Sequence, residues 1–261
     1  MRPTAKDIQG WNPMDLSEVT GNDAMVEYYR QCIRAEGQML NTLNTGDSRS
    51  GKGGTLAAFA RTLICERRSL GDTRACGECR TCLGLACTHG EEGIFAQARP
   101  SNGRDPVHLI MVDCTSTSPA KLLQLFDDIR YYDQAIIILD EVHRFEHRKM
   151  DEMLLKPMEM SGKVWIANAV SVKNLDRMFL NRFAVKLRTS LPSVDKLSEF
   201  LADRCIDWEI EWDDEATIIQ LAKRSNLITG KALQVLGRAV LNGRRLTSSL
   251  VADHMFDEND S

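Results

Sequence analysis

Between about residues 39 and 189, short apolar runs alternate with stretches of helical spacing, which predicts a mostly parallel sheet covered by helices on both faces. Three runs read as strands: His108–Asp113 (HLIMVD), Ala135–Asp140 (AIIILD) and Val164–Asn168 (VWIAN). Each is apolar and ends in a polar residue, as buried parallel strands do where their tips line a site. Ala184–Leu187 adds a last strand, and an apolar helix is expected over Leu56–Cys65. Gly90–Asp105 is polar and carries Gly and Pro, and reads as a flexible surface loop. After Leu191-Pro192 the spacing becomes helical throughout, over Val194–Ile206, Asp214–Arg224, Thr229–Leu241 and a short amphipathic stretch, Ser248–Met255. The expected organisation is an α/β domain over residues 1–190, an all-helical domain over 191–255, and an acidic tail over 256–261.

Composition narrows this picture. The chain has 261 residues, 43% apolar and 27% charged, enough to bury a sizeable core and to divide into a large and a small domain. A net charge of −4 excludes a protein that holds nucleic acid by bulk positive charge, so any DNA contact is a local patch. Arg238, Arg244 and Arg245 come nearest to one, and read more simply as a solvated helix end. The longest apolar runs, such as Ala135–Leu139, are far shorter than the roughly 20 residues of a membrane span. Met1–Asp7 has no apolar export region, which leads us to expect a cytoplasmic protein.

Two motifs suggest nucleotide chemistry. Gly46-Asp47-Ser48-Arg49-Ser50-Gly51-Lys52-Gly53-Gly54-Thr55 matches G-x-x-x-x-G-K, in which inward backbone N–H groups, a helix N-terminus and a lysine hold phosphates. Gly53 stands where that motif carries the Ser or Thr hydroxyl that ligates Mg²⁺, which leaves metal coordination open there. The strand Ile136–Leu139 ends in Asp140-Glu141, an arrangement in which the aspartate helps hold Mg²⁺ and the glutamate polarises the attacking water. A third motif gathers Cys65, Cys76, Cys79 and Cys82, four of the eight cysteines, in a spacing that suits a closed tetrahedral zinc site and so a structural module over about residues 65–87. Cys32, Cys114 and Cys205 sit among apolar neighbours and read as core residues.

Together these motifs resemble the AAA+ ATPase subunits of bacterial replicative clamp loaders, the gamma/tau and delta-prime subunits of DNA polymerase III. The resemblance covers roughly Trp11 to Leu241, and its most specific part is the Cys-Gly-x-Cys-x-x-Cys module after the phosphate-loop helix. It implies a P-loop AAA+ domain with an inserted zinc module and a helical lid. It also implies ATP with Mg²⁺ as cofactor, partner AAA+ subunits in a ring or arc, and a sliding clamp loaded on primed or double-stranded DNA. In this resemblance Trp11-Asn12-Pro13 and Val19-Thr20-Gly21-Asn22 pack over the base, so Val19 and Thr20 join the nucleotide site with Gly46, Ser50, Gly51, Lys52, Gly53, Gly54 and Thr55. Asp140-Glu141-Val142-His143 corresponds to the second nucleotide motif and Met153–Lys156 to the helix after it. Asn168 takes the position that places the hydrolytic water, and Arg182 in Leu180-Asn181-Arg182-Phe183 reaches a neighbouring subunit's nucleotide in trans.

Several positions depart from the family pattern. Leu40–Thr45, before the phosphate loop, is more polar than the family's apolar strand, which suggests a sheet edge or lesser burial. Gly230 occupies the place of a lid arginine, with Lys231 beside it as a substitute. The residues after Leu241 leave no room for the family's collar domain. Alternatives to a hydrolysing clamp-loader subunit are therefore a non-hydrolysing, stator-like subunit and an AAA+ ATPase of another DNA machine of viral, mobile-element or defence type.

Overall fold

The computed structural model, which describes residues 2–86, 95–98 and 107–253, folds the alternating part of the chain into one six-stranded sheet. Its elements are α1 (Ala5–Gln9), α2 (Asp23–Arg34), β1 (Thr42–Thr45), α3 (Lys52–Ile64), α4 (Arg80–Ala86), β2 (Phe95–Ala98), β3 (Val107–Asp113), α5 (Pro119–Ile129), β4 (Ala135–Asp140), α6 (Met150–Met153), β5 (Lys163–Ala169), α7 (Arg177–Leu180) and β6 (Val185–Arg188). The strand order is β2-β3-β4-β5-β1-β6, with β2 antiparallel to β3 and every other pair parallel. The apolar runs follow from burial on both faces. In β4, Ile137 and Leu139 join the core beneath α5, while Ile136 and Ile138 point to the opposite core formed with α2 and α3. Within Gly90–Asp105, residues 95–98 are an edge strand and not a loop, and the rest of that stretch lies outside the described residues, as does the end of the cysteine module at Cys87.

β1 corrects a sequence expectation. It is an interior strand, paired with β5 on one side and β6 on the other, and Thr42, Leu43 and Asn44 are buried. Its polarity is tolerated because each polar side chain finds a partner: the Thr42 hydroxyl donates to Leu40 O at 2.8 Å and lies 3.0 Å from the Tyr28 hydroxyl, and Asn44 bonds the Tyr29 hydroxyl and the Asn168 amide, described below.

The rest of the chain forms α8 (Val194–Asp207), β7 (Glu211–Trp212), α9 (Glu215–Arg224), α10 (Thr229–Leu241), β8 (Arg245–Leu246) and α11 (Ser248–Asp253). Caps set two of the starts. Ser193 Oγ accepts from Lys196 N and Asp214 Oδ1 accepts from Thr217 N, satisfying amides that have no partner within the helix. The region is not purely helical, because β7 and β8 pair in parallel, Glu211 with Arg245 and Trp212 with Leu246, where two connections run side by side. Residues 254–261, including the acidic tail and the end of the last expected helix, lie outside the described residues. The small basic group serves the fold: the Arg244 guanidinium donates to Trp208 O at 2.6 Å and Pro3 O at 3.2 Å, and Arg245 pairs with Asp213 at 3.2 Å.

The helical core also recruits the start of the chain. Ile8 of α1 is fully buried with Leu197, Leu201, Leu233 and Leu236, and Trp11 packs on Phe200 and Trp208. α1 comes so close to α10 at Gly237 that a Cβ there would lie 3.1 Å from Ala5 O. The first helix, assigned from sequence to the 1–190 unit, therefore packs with the C-terminal helices. Ile8→Ala is expected to destabilise the protein by about 2 kcal/mol or more, read from urea unfolding; an unchanged midpoint would show that α1 is not docked.

Candidate nucleotide-binding site

Gly46 leaves β1 at φ +152°, and a Cβ there would fall 1.8 Å from Thr189 Oγ1, so glycine alone fits beside the exit of β6. Its N–H donates to Ala169 O at 3.3 Å. The loop closes with the Ser50 hydroxyl donating to Asp47 O at 2.7 Å, then turns into α3 through Gly51 at φ +92°. The first amides of α3 and the positive end of its dipole face the loop, the arrangement that binds phosphate. Lys52 Nζ donates to Gly46 O at 2.6 Å and to Asp47 O at 2.7 Å, with the residue 5% exposed. Burial pushes its ammonium below the usual lysine range, opposed by the charges of Glu141, Asp140 and Asp47.

The residues after Lys52 divide in role. Gly53 borders open space, with no atom within 4 Å of where a Cβ would stand, so no neighbour fills the place of the absent hydroxyl. Thr55 does not replace it: its hydroxyl donates to Gly51 O at 2.9 Å within the helix and the residue is fully buried, which removes Thr55 from the set that faces a nucleotide. Gly54 lies under Asn12 and Pro13, where a Cβ would meet Pro13 Cδ at 3.3 Å. Asn12-Pro13 thus covers the first turn of α3, while Trp11 has turned away into the helical core. Val19 packs against the α2–α3 core and Thr20 is half-buried beside it. Asn22, read from sequence only as the end of the Val19–Asn22 segment, is a clamp. Its Nδ2 donates to Ser50 O at 2.9 Å, its Oδ1 accepts from Ser190 N at 3.0 Å and its own N–H donates to Ser190 O at 2.9 Å.

At the tips of β1, β5 and β4 a buried polar chain leads to Asp140. The Tyr29 hydroxyl donates to Asn44 Oδ1 at 3.1 Å, Asn44 Nδ2 donates to Asn168 Oδ1 at 3.0 Å, and Asn168 Nδ2 donates to Asp140 Oδ1 at 3.0 Å. Burial pushes the Tyr29 phenol far above its ordinary range, so it stays a neutral donor. Asn168 is 1% exposed, and what it touches is the carboxylate of Asp140 and not the open site. Asp140 Oδ1 also accepts from Glu141 N at 3.2 Å, and Glu141 takes the left-handed conformation at φ +55°. Asp113, in register with Asp140 across β3 and β4, adds a third carboxylate to this edge after Asp140 and Glu141. Partial burial opposes its ionisation, but hydrogen bonds from Thr115 and Ser116 hold it below the ordinary carboxylate range.

Two expected site residues lie apart from this cluster or reach it indirectly. Arg182 precedes β6, at the end of the sheet opposite the phosphate loop, and pairs with Glu159; it takes no part in its own chain's site. Lys231 is buried in the first turn of α10, next to Gly230, whose absent side chain lets α10 press on the loop: a Cβ there would lie 3.1 Å from Arg49 Cβ and 3.2 Å from Arg49 O.

Behind the site, the sulfurs of Cys65, Cys76, Cys79 and Cys82 all lie within 4.8 Å of one another. A tetrahedral zinc with bonds of about 2.3 Å separates its sulfurs by about 3.8 Å, and Cys76 Sγ is 3.9 Å from Cys82 Sγ. The N–H groups of Cys76, Glu78 and Cys79 donate to sulfur, as befits thiolates held by a metal. Three of the four cysteines are buried. The donor set fits zinc. Arg61, on α3 and 2% exposed, joins this module to the loop cover by donating to Cys82 O at 3.2 Å, Pro13 O at 2.6 Å and Met14 O at 3.3 Å.

Asn44→Ala would leave the Tyr29 hydroxyl and Asn168 amide without their buried partner. We expect a loss of about 1–3 kcal/mol in chemical unfolding, and a loss below about 0.5 kcal/mol would show that the polar chain is not maintained.

Residues 94–191 match the family described as ATPase family associated with various cellular activities (AAA). No curated protein sequence matches the chain. Among solved structures, it is similar to the Holliday junction branch migration motor RuvB of Thermotoga maritima, with a TM-score of 0.61 and 14% identity over 92% of this chain and 70% of that one. A mutant of the same Thermotoga protein aligns with a TM-score of 0.62 and 14% identity, covering 93% of this chain and 72% of that one. The Aeropyrum pernix Orc1 protein, solved in complex with DNA, aligns with a TM-score of 0.59 and 16% identity over 90% of this chain and 64% of its own. At these identities the likeness is one of fold. Residues 94–191 thus match an AAA-family domain, and the chain has the α/β fold, with a helical C-terminal region, of these AAA+ structures.

Proposed function

We propose that the protein is an AAA+ ATPase subunit of a DNA-handling machine, binding ATP at the contact between subunits and using its hydrolysis to change that contact. The observation that carries this reading is the convergence of Lys52, Asp140 and Glu141 from separate chain segments on one edge of the sheet, beside a glycine loop that opens a helix. In this reading the loop amides and Lys52 hold the phosphates, Asp140 holds Mg²⁺, Asn168 fixes Asp140, and Glu141 polarises the attacking water. Arg182 serves the neighbouring subunit in trans. Its pair with Glu159 is partly exposed, and such pairs contribute only about 0–1 kcal/mol, so assembly can exchange Glu159 for a phosphate.

Clamp loading is our specific assignment within this class, supported by the sequence resemblance and by the cysteine module behind the phosphate loop. Its partners would be further AAA+ subunits, a sliding clamp and primed DNA. A second, stator-like reading, binding nucleotide without cleaving it, is favoured by one feature: Gly53 offers no hydroxyl and Thr55 has committed its own to the helix. The resemblance in fold to a branch migration motor and to an Orc1 protein solved with DNA is equally compatible with another DNA machine.

Steady-state ATP turnover decides between hydrolysis and binding alone. We expect turnover by the purified chain to rise with primed DNA and to fall at least about a hundredfold in Glu141→Gln, which keeps its affinity for nucleotide; turnover no higher than that of the variant would favour the stator. The four thiolates would hold a structural zinc. Elemental analysis of protein purified without chelator should find about one zinc per chain, and chelation should lower the unfolding midpoint. A content well below one would remove the zinc assignment.

A further inference from the structure

We propose that His143 is a positioning residue for Glu141, and that the Ala169–Val170 peptide unit couples the phosphate loop to that glutamate through it. The inference rests on the hydrolytic reading above and deepens it. His143 Nε2 lies 3.3 Å from Glu141 Oε2, with the two side chains 17% and 35% exposed. The other ring nitrogen, Nδ1, accepts from Val170 N at 3.4 Å. An imidazole whose Nδ1 accepts a hydrogen bond carries its own hydrogen on Nε2 when neutral, so the ring presents a donor to the Glu141 carboxylate. That carboxylate needs a hold. Glu141 stands at φ +55°, where the chain has left β4, so the strand no longer sets the side chain's direction. Among the described residues His143 is the contact within hydrogen-bond reach found for that carboxylate, while the Lys52 ammonium acts on it through charge.

The peptide unit that anchors the ring has a second duty. Val170 N–H and Ala169 C=O belong to one planar amide, and Ala169 O accepts from Gly46 N, the first glycine of the phosphate loop, at 3.3 Å. One rigid plane at the end of β5 therefore holds the loop with its oxygen and the histidine with its nitrogen. Both contacts are long for hydrogen bonds, and contacts of this kind commonly tighten once substrate is bound. A shift of the loop on binding phosphate tilts the plane, and the tilt reaches Glu141 through the imidazole. Nucleotide occupancy thereby sets the aim of the general base.

The test compares His143→Phe, which keeps the ring volume and removes both nitrogens, with His143→Gln, whose amide can still donate to Glu141. Turnover is measured over a range of ATP concentrations, a fluorescent ATP analogue gives the dissociation constant, and thermal unfolding reports folding. His143→Phe should lose about tenfold or more in kcat, with the dissociation constant changed by less than about twofold, and His143→Gln should recover most of the loss. If the phenylalanine variant does not fold, His143→Asn, which keeps an acceptor for Val170 N–H but falls short of Glu141, takes its place with the same expected loss. Wild-type kcat in the variant that lacks the donor would overturn the inference alone, as would a loss seen equally in nucleotide affinity. A wild-type chain that turns over ATP no faster than Glu141→Gln would overturn the hydrolytic reading and the inference with it.

Discussion

A carboxamide in an interior strand of a parallel sheet has to be satisfied on every side, and Asn44 imposes that constraint on this protein. An unpartnered amide in such a place costs several kcal/mol, so the surrounding elements are bound to supply partners: Tyr29 from α2, Asn168 from β5, and through Asn168 the carboxylate of Asp140 on β4. The network fixes the lateral order of three strand tips at the edge where the phosphate loop begins. It also engages Asn168. The residue expected to place the hydrolytic water has its amide bonded to Asn44 on one side and to the Asp140 carboxylate on the other.

Where short-range spacing decides an element, the sequence was informative. β3, β4 and β5 were legible because burial on both faces demands an unbroken apolar run, and α8, α9 and α10 because one apolar stripe repeats at helical spacing. β1 was misread for a physical reason: its polar residues are tolerated through partners far off in the chain, which no local pattern discloses. α2 went unassigned although Met25, Val26, Tyr29, Cys32 and Ile33 follow helical spacing; its cap, Asn22, is left-handed and makes no capping bond to the helix. The β7–β8 pair is two residues long on each side and leaves no periodicity to read.

The site was legible to the extent that it is written in contiguous motifs. Gly46–Lys52, Asp140-Glu141 and the four cysteines were all visible as spacings. Thr55 could be demoted only once its hydroxyl was seen bonding Gly51, and the place of Arg182, which the resemblance gives to a neighbour's site, is seen at the opposite end of the sheet only once the strand order is known. Arg61 shows the limit most clearly. In sequence it is one basic residue in an apolar helix; in the fold its guanidinium gathers carbonyls from Pro13, Met14 and Cys82, so the cysteine module and the cover over Gly54 are tied to the same side chain.

The docking of α1 on α10 has a mechanical corollary. Because the first helix lies in the helical core, the polypeptide passes between that core and the sheet twice, once before α2 and once after β6, and the two passages are laced together where Asn22 and Ser190 exchange backbone and side-chain bonds. A single tether would permit swivel and twist in any sense. A doubled one resists torsion more than a single one does. Asn22, which ties the two passages together, also holds Ser50 of the phosphate loop, so the same side chain joins the helical lobe's attachment to the loop.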